Sequence, residues 1–183
     1  MPEYNAIGMV ELKSVTKGII TADAMIKGAN VDLVKCFPIC PGKYIIIVRG
    51  RIGAVKASIE HAKEIVKDDI TDVFMLGNPH SLLFAALDKS YEKNVIGALG
   101  IIETRTIPSM LMATDTATKT AQVQIVELRM AREIGGKAYT LLTGDLDAVE
   151  TAILAGCQSI EQTGSIVDYS VIPNPDPKLK EFL

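Results

Sequence analysis

The sequence is poor in the residues that usually carry chemistry. It holds two histidines and three cysteines in 183 residues. Neither His61 nor His80 stands at a metal-ligand or catalytic-triad spacing, and His61 falls on a helical stretch as a surface residue. An odd number of cysteines does not make a disulfide framework, so Cys36, Cys40 and Cys157 read as reduced thiols or metal ligands. No run of Lys or Arg occurs and the net charge is -3, which argues against a nucleic-acid footprint and against an electrostatic membrane anchor. Apolar runs such as Tyr44 to Val48 are far too short to span a bilayer. The opening Met1-Pro2-Glu3-Tyr4-Asn5 lacks the basic, apolar and small-residue order of a signal peptide, so a cytoplasmic location is expected. Two phosphate-loop signals are incomplete. Ala131 and Ala138 stand where a Walker motif needs Gly and Ser or Thr, and Gly50-Arg51-Ile52-Gly53 lacks the three-glycine dinucleotide fingerprint.

What the chain does have is a large apolar complement, 48% against 22% charged, which excludes disorder. It also repeats itself. Setting Gly8–Val34 against Gly100–Val126, an offset of 92, matches seven of 27 positions, among them Glu11/Glu103, Asp23/Asp115 and Lys27/Lys119. Background usage gives roughly one or two. The offset grows to 94, where Gly42-Lys43 meets Gly136-Lys137, and then to 96, where Asn78-Pro79 meets Asn174-Pro175. Three collinear blocks with two short insertions imply two homologous domains, 1–93 and 94–183, joined near Asp88 to Asn94. Glu11 and Glu103 are equivalent by this repeat, so they reflect ancestry before acid–base catalysis.

Each copy reads alike. Ala6 to Leu12 is a mostly apolar strand, and Ala22, Met25, Ile26 and Ala29 form the buried stripe of a short helix. Val31 to Phe37 and Lys43 to Arg49 are strands of a hairpin around Cys40-Pro41-Gly42, with Pro fixing φ and Gly free to take φ > 0. Ile52, Val55, Ile59, Ala62 and Val66 keep helical spacing, and Asp72 to Leu76 is a further strand. In the second copy Leu146, Val149, Ile153, Cys157 and Ile160 repeat the long helix, and Ser165 to Ile172 the last strand. The order β-α-β-β-α-β is the split βαβ arrangement: an α+β fold with a four-stranded antiparallel sheet and helices on one side.

Cys157 lies on an apolar helix stripe and reads as a small buried hydrophobe. Cys36 and Cys40 are separated by about 13 Å of extended chain and share a metal ion only if the turn curls back. Cys40 sits at the hairpin tip. One such thiol per chain is too few for an iron–sulfur cluster, though a symmetry axis gathers several.

The segment Asp23 to Val31, the strand Tyr44 to Arg49 followed by Gly50, and the helix opening Ile52-Gly53-Ala54-Val55 resemble the shell-protein domain of bacterial microcompartments. With the duplication, the chain from Ala6 to Pro175 resembles the tandem-domain shell proteins of the propanediol-utilisation type. The resemblance implies two tandem ferredoxin-like shell domains and a homotrimer that mimics a hexamer. It further implies edge-to-edge packing with other shell proteins into the wall of a cytoplasmic compartment, and no turnover of its own. In that family the hairpin loop lines a central pore. Here the loops are Ile39, Cys40, Pro41, Gly42 and Lys43 in the first copy and Glu133, Ile134, Gly135, Gly136 and Lys137 in the second. The resemblance assigns Cys40 as the ligand through which three chains hold one iron–sulfur cluster, of the four-iron (4Fe-4S) kind, for electron transfer with an enclosed redox enzyme. It places Lys27 and Lys119 at the tile edge, with Asn78 and Asn174 where many relatives carry Arg-Pro-His. Two other readings compete. A trimeric ferredoxin-like regulator binding a small ligand has the same strand order, and an oxidoreductase using the cysteine directly lacks a nearby acid–base group.

Overall fold

A computed structural model of the chain describes residues 4–89, 94–131 and 134–183. Its contacts divide it into one compact unit ending at Pro79 and another beginning at His80. The first unit runs β1 (Ala6–Leu12), α1 (Val15–Gly28), β2 (Val31–Ile39), β3 (Lys43–Gly50), α2 (Ile52–Ile65) and β4 (Ile70–Gly77). The second opens with α3 (Ser81–Leu87) and repeats the pattern: β5 (Ala98–Thr104), α4 (Ile107–Thr120), β6 (Gln124–Met130), β7 (Ala138–Gly144), α5 (Leu146–Ile160) and β8 (Ile166–Ile172), then α6 (Pro177–Lys180). The sheets are antiparallel, ordered β2-β3-β1-β4 and β6-β7-β5-β8. This is the expected α+β fold, made twice.

The duplication extends to irregularities. Ala6 faces Gly50 and Ala98 faces Gly144, and the ladder to the last strand slips between Glu11 and Leu12 in one unit and between Glu103 and Thr104 in the other. Each first helix starts on a hydroxyl cap that satisfies an otherwise orphaned donor. Ser14 Oγ accepts the Lys17 N–H at 3.4 Å, and Thr106 Oγ1 accepts the Ser109 N–H at 3.3 Å.

Alternation along β1 sends Ala6, Val10 and Leu12 to the helix side, where they meet Met25 of α1 and Val55, Ile59 and Ala62 of α2. Ala98, Ile102, Ala113, Val149, Ile153 and Cys157 form the matching core of the second unit. Each fully buried Val or Ile contributes about 1.5–3 kcal/mol. Between these strands and the long helices stand two glycines. A Cβ on Gly8 meets Val55 Cγ1 at 2.6 Å, and one on Gly100 meets Val149 Cγ1 and Ile153 Cγ1 at 2.7 Å. The other face of the second sheet carries Val95, Leu99, Val126 and Leu141, against which Leu183 packs.

Three parts of the sequence reading need correction. The first helix begins at its Ser14 cap, about two turns before the expected stripe opens at Ala22, and its buried face is Gly18, Thr21, Ala22 and Met25. Ile26 is 39% exposed and Ala29 lies in the extended C-cap. Ile52 and Leu146, the first residues of the long helices, are also exposed, and the buried faces begin at Val55 and Val149. Finally, α3 had no counterpart in the expected elements.

Gly100→Val forces Cγ atoms into α5 and should destabilise the protein by about 1–3 kcal/mol. Gly53→Ala, in a helix with nothing within 4 Å of the new Cβ, should be neutral or stabilise by about 0.5–1 kcal/mol; urea midpoints compare the two. Burial pushes the Cys157 thiol up to about 11. Iodoacetamide at pH 8 should therefore spare Cys157 in the native protein and modify it once denaturant opens the core, as peptide mass mapping would show.

Candidate functional site

The hairpin turns are the places where exposed backbone and chemically distinctive side chains coincide. β2 and β3 pair as far as Ile39 and Lys43, which leaves Cys40, Pro41 and Gly42 as the turn. The Gly42 N–H donates to the Ile39 carbonyl at 2.9 Å, and Gly42 has φ +95°, which an L side chain rarely adopts. The Cys40–Pro41 peptide is cis. Ile39 is buried beneath the turn, whereas Cys40, Pro41 and Gly42 are exposed. Lys43 anchors the base, its Nζ 2.6 Å from Glu11 Oε1 on the neighbouring strand.

The second turn keeps this plan with two more residues. The Ala131 N–H donates to the Lys137 carbonyl at 2.9 Å and the Lys137 N–H to the Ile134 carbonyl at 3.3 Å. Gly135 and Gly136 take φ +66° and +85°, and Ile134 is half-buried. Lys137 Nζ lies 2.5 Å from Glu103 Oε1 and repeats the Lys43–Glu11 pair. Glu133, expected in this loop, lies outside the described residues.

The cysteines part company. Cys36 sits opposite Ile46 in the ladder, exposed within the strand and near the Tyr44 phenol. Burial first, and then the neighbouring Cys36 thiol, push Tyr44 up to about 12. Cys157 is in the core. Cys40 alone is presented at a turn apex. Among the described residues no three His, Cys, Asp or Glu side chains gather as a metal site. Iron–sulfur clusters take up to four thiolates. A cluster would therefore need thiolates from more than one copy of the chain.

Lys27 and Lys119 occupy the last turns of α1 and α4. Each pairs with the carboxylate four residues earlier, Asp23 and Asp115, at 2.6 Å. The two pairs differ in setting. The Asp23 side chain is 57% exposed and the Asp115 side chain 7%, and Asp115 Oδ1 also accepts the His80 N–H at 2.7 Å. Asn78 has φ +49° and its N–H donates to the Asn5 carbonyl at 2.7 Å, closing the end of β4. Asn174 is exposed beside buried Pro175. Sequence reasoning missed the His80–Asp115 bond and the Cys36–Tyr44 contact. The first joins residues distant in sequence and leaves no local signal. The second follows from two adjacent strands in register, once β2 is seen to run on to Ile39.

Comparison with known proteins bears on the same residues. The BMC domain matches twice, over residues 6–79 and 98–175. The microcompartment shell protein PduT of Citrobacter freundii is 36% identical over 170 residues, 93% of this chain and 92% of its own length. The shell protein PduA of the same organism is 40% identical over 81 residues, 43% of this chain and 87% of its own. A crystal structure of a microcompartment protein from Desulfitobacterium hafniense superposes with a TM-score of 0.94 at 42% identity, covering 98% of this chain and 99% of the other. The two Citrobacter relatives are named as shell proteins, not for reactions. With two BMC domains in tandem over nearly its whole length, the chain belongs to the bacterial microcompartment shell-protein family.

Proposed function

We propose that the chain is a structural tile of a microcompartment shell in the cytoplasm. In this reading three copies close around a pore, and Cys40 of each ligates one shared four-iron cluster. The observation that carries the cluster is the contrast among the thiols: Cys157 is buried, Cys36 is exposed but lies within a paired strand, and Cys40 stands exposed at a turn apex, while the described residues of one chain gather no metal site of their own. Three chains supply three soft thiolates, which suits iron–sulfur binding. Such a cluster supplies one-electron transfer, and an enclosed redox enzyme is the natural exchange partner. The protein's own residues present and orient the sulfur. Gly42 allows the tight turn, Ile39 seats it, and the Lys43–Glu11 pair fixes its base. The second turn, with Ile134, Gly135, Gly136 and Lys137, is the other lining of the pore.

Two homologous halves, taken as 1–93 and 94–183, favour a ring in which each chain contributes two of six positions. Other shell proteins are the lateral partners. Lys27 and Lys119 act at the tile edge. An ammonium has three donors, and a single bond to Asp23 or Asp115 leaves donors for carbonyls of an adjoining tile.

Anaerobic purification followed by native mass measurement and iron and sulfide analysis tests the trimer and cluster together. The expected result is three chains with bound iron and sulfide. Cys40→Ser should lose both elements and keep the trimer mass; a brown, paramagnetic Cys40→Ser protein refutes the assignment. Exposed i,i+4 pairs contribute about 0.3–0.5 kcal/mol, so Lys27→Ala should leave the fold intact. Its effect should appear instead in electron micrographs of concentrated protein, as loss of sheets or tubes, most completely when combined with Lys119→Ala. Unaltered sheets would remove both lysines from the edge.

A further inference from the structure

The two units should bury the same helix face, and they do not. On α4, Ile107, Leu111, Asp115 and Thr118 are 3%, 0%, 5% and 5% exposed. Their equivalents on α1, at the repeat offset of 92, are Val15, Ile19, Asp23 and Ile26. Val15 is 38%, Ile19 56% and Ile26 39% exposed, and Asp23 is exposed as well. These positions follow one another along a single helix face. Exposed aliphatic side chains in such a row form an apolar patch, which marks an interaction surface.

The element that accompanies the burial on α4 is α3. It packs against α4 and β6, buries Leu83, Ala86 and Leu87, and is preceded by the His80 N–H that donates to Asp115. The chain carries a second version of this element. At the offset of 96 that pairs Asn78-Pro79 with Asn174-Pro175, His80 aligns with Asp176, and Leu83, Ala86 and Leu87 align with Leu179, Phe182 and Leu183. Local geometry agrees. His80 Nδ1 accepts the Leu82 N–H at 3.3 Å, and Asp176 Oδ1 accepts the Lys178 N–H at 2.8 Å, so both residues cap the helix that follows. Leu183 holds the chain end against the second sheet, while Leu179 is 40% and Phe182 85% exposed.

We propose that the segment from Asn174 to Leu183 of one chain docks on the α1 face of a second copy and does there what α3 does on α4. Leu179 and Phe182 cover Ile19 and Ile26, and the Asp176 N–H meets the Asp23 carboxylate. Lys178 and Lys180 bring positive charge to the same carboxylate. The surface and its occupant are different parts of one chain, so the contact is head-to-tail, the kind that forms a ring when the rotation between copies closes. The inference rests on the trimer proposed above and names the contact that joins its chains.

Cross-linking separates the two claims. In a Cys36→Ser, Cys40→Ser background, Ile19→Cys and Phe182→Cys are combined, oxidised mildly and run on a denaturing gel, with each single substitution as control. The expected result is covalent dimers and trimers only when both cysteines are present. Leu179→Asp with Phe182→Asp should abolish the trimer mass while far-ultraviolet circular dichroism stays unchanged. A native trimer that neither cross-links nor responds to the aspartates overturns the docking and leaves the trimer standing. A monomeric unmodified protein overturns both.

Discussion

Close approach of a long helix to the middle strand, made possible by the missing side chain at Gly8 and Gly100, is the constraint on which each unit is built. A strand next to the centre of a four-stranded sheet meets the helix most squarely, and any Cβ there would lift α2 or α5 off the core. With the helix seated, Val55 and Ile59, or Val149 and Ile153, close over the apolar side of the sheet. The hairpin that completes the sheet then projects its turn past the packed layers. Cys40 is exposed because its turn lies beyond the last ladder pair, Ile39 with Lys43, and not because the local sequence is polar.

Much of this architecture is written in the chain as periodicity. The strand Ala6–Leu12 is found to the residue, as a short, mostly apolar run. The hairpin and the long helices are equally plain. Periodicity does not state which apolar face is covered. Ile26, Ile52 and Leu146 fit a helical stripe and are nonetheless exposed, because stripe and core are different facts: one is a spacing along a helix and the other depends on what packs over it. The helix Ser81–Leu87 was invisible for a related reason. Seven mostly apolar residues carry no resolvable period, and their structure is fixed by burying Leu83 and Leu87 against neighbours far along the chain.

The candidate site was legible in its parts and less so in its connections. Pro41 and Gly42 announce the turn, and the repeat announces its counterpart at Gly135 and Gly136. The pairing of Lys43 with Glu11, and of Lys137 with Glu103, follows only from the ladder register that sets strand ends side by side. Comparison of the two units is the more instructive source, since each serves as the other's control. They share register, slips and helix caps, and differ at the turn apex and on the outer face of the first helix.

Those basal ion pairs make the apex a separable cassette. Each turn is tied to its sheet by a lysine–glutamate clasp and by backbone bonds at its root, so the residues between contribute nothing to the ladder beneath them. A descendant of this gene can exchange a sulfur for a hydroxyl, or a proline for a second glycine, in a handful of mutational steps while the scaffold stays folded. Doubling the domain widens that freedom, because one apex can be remodelled while its twin keeps the ancestral form.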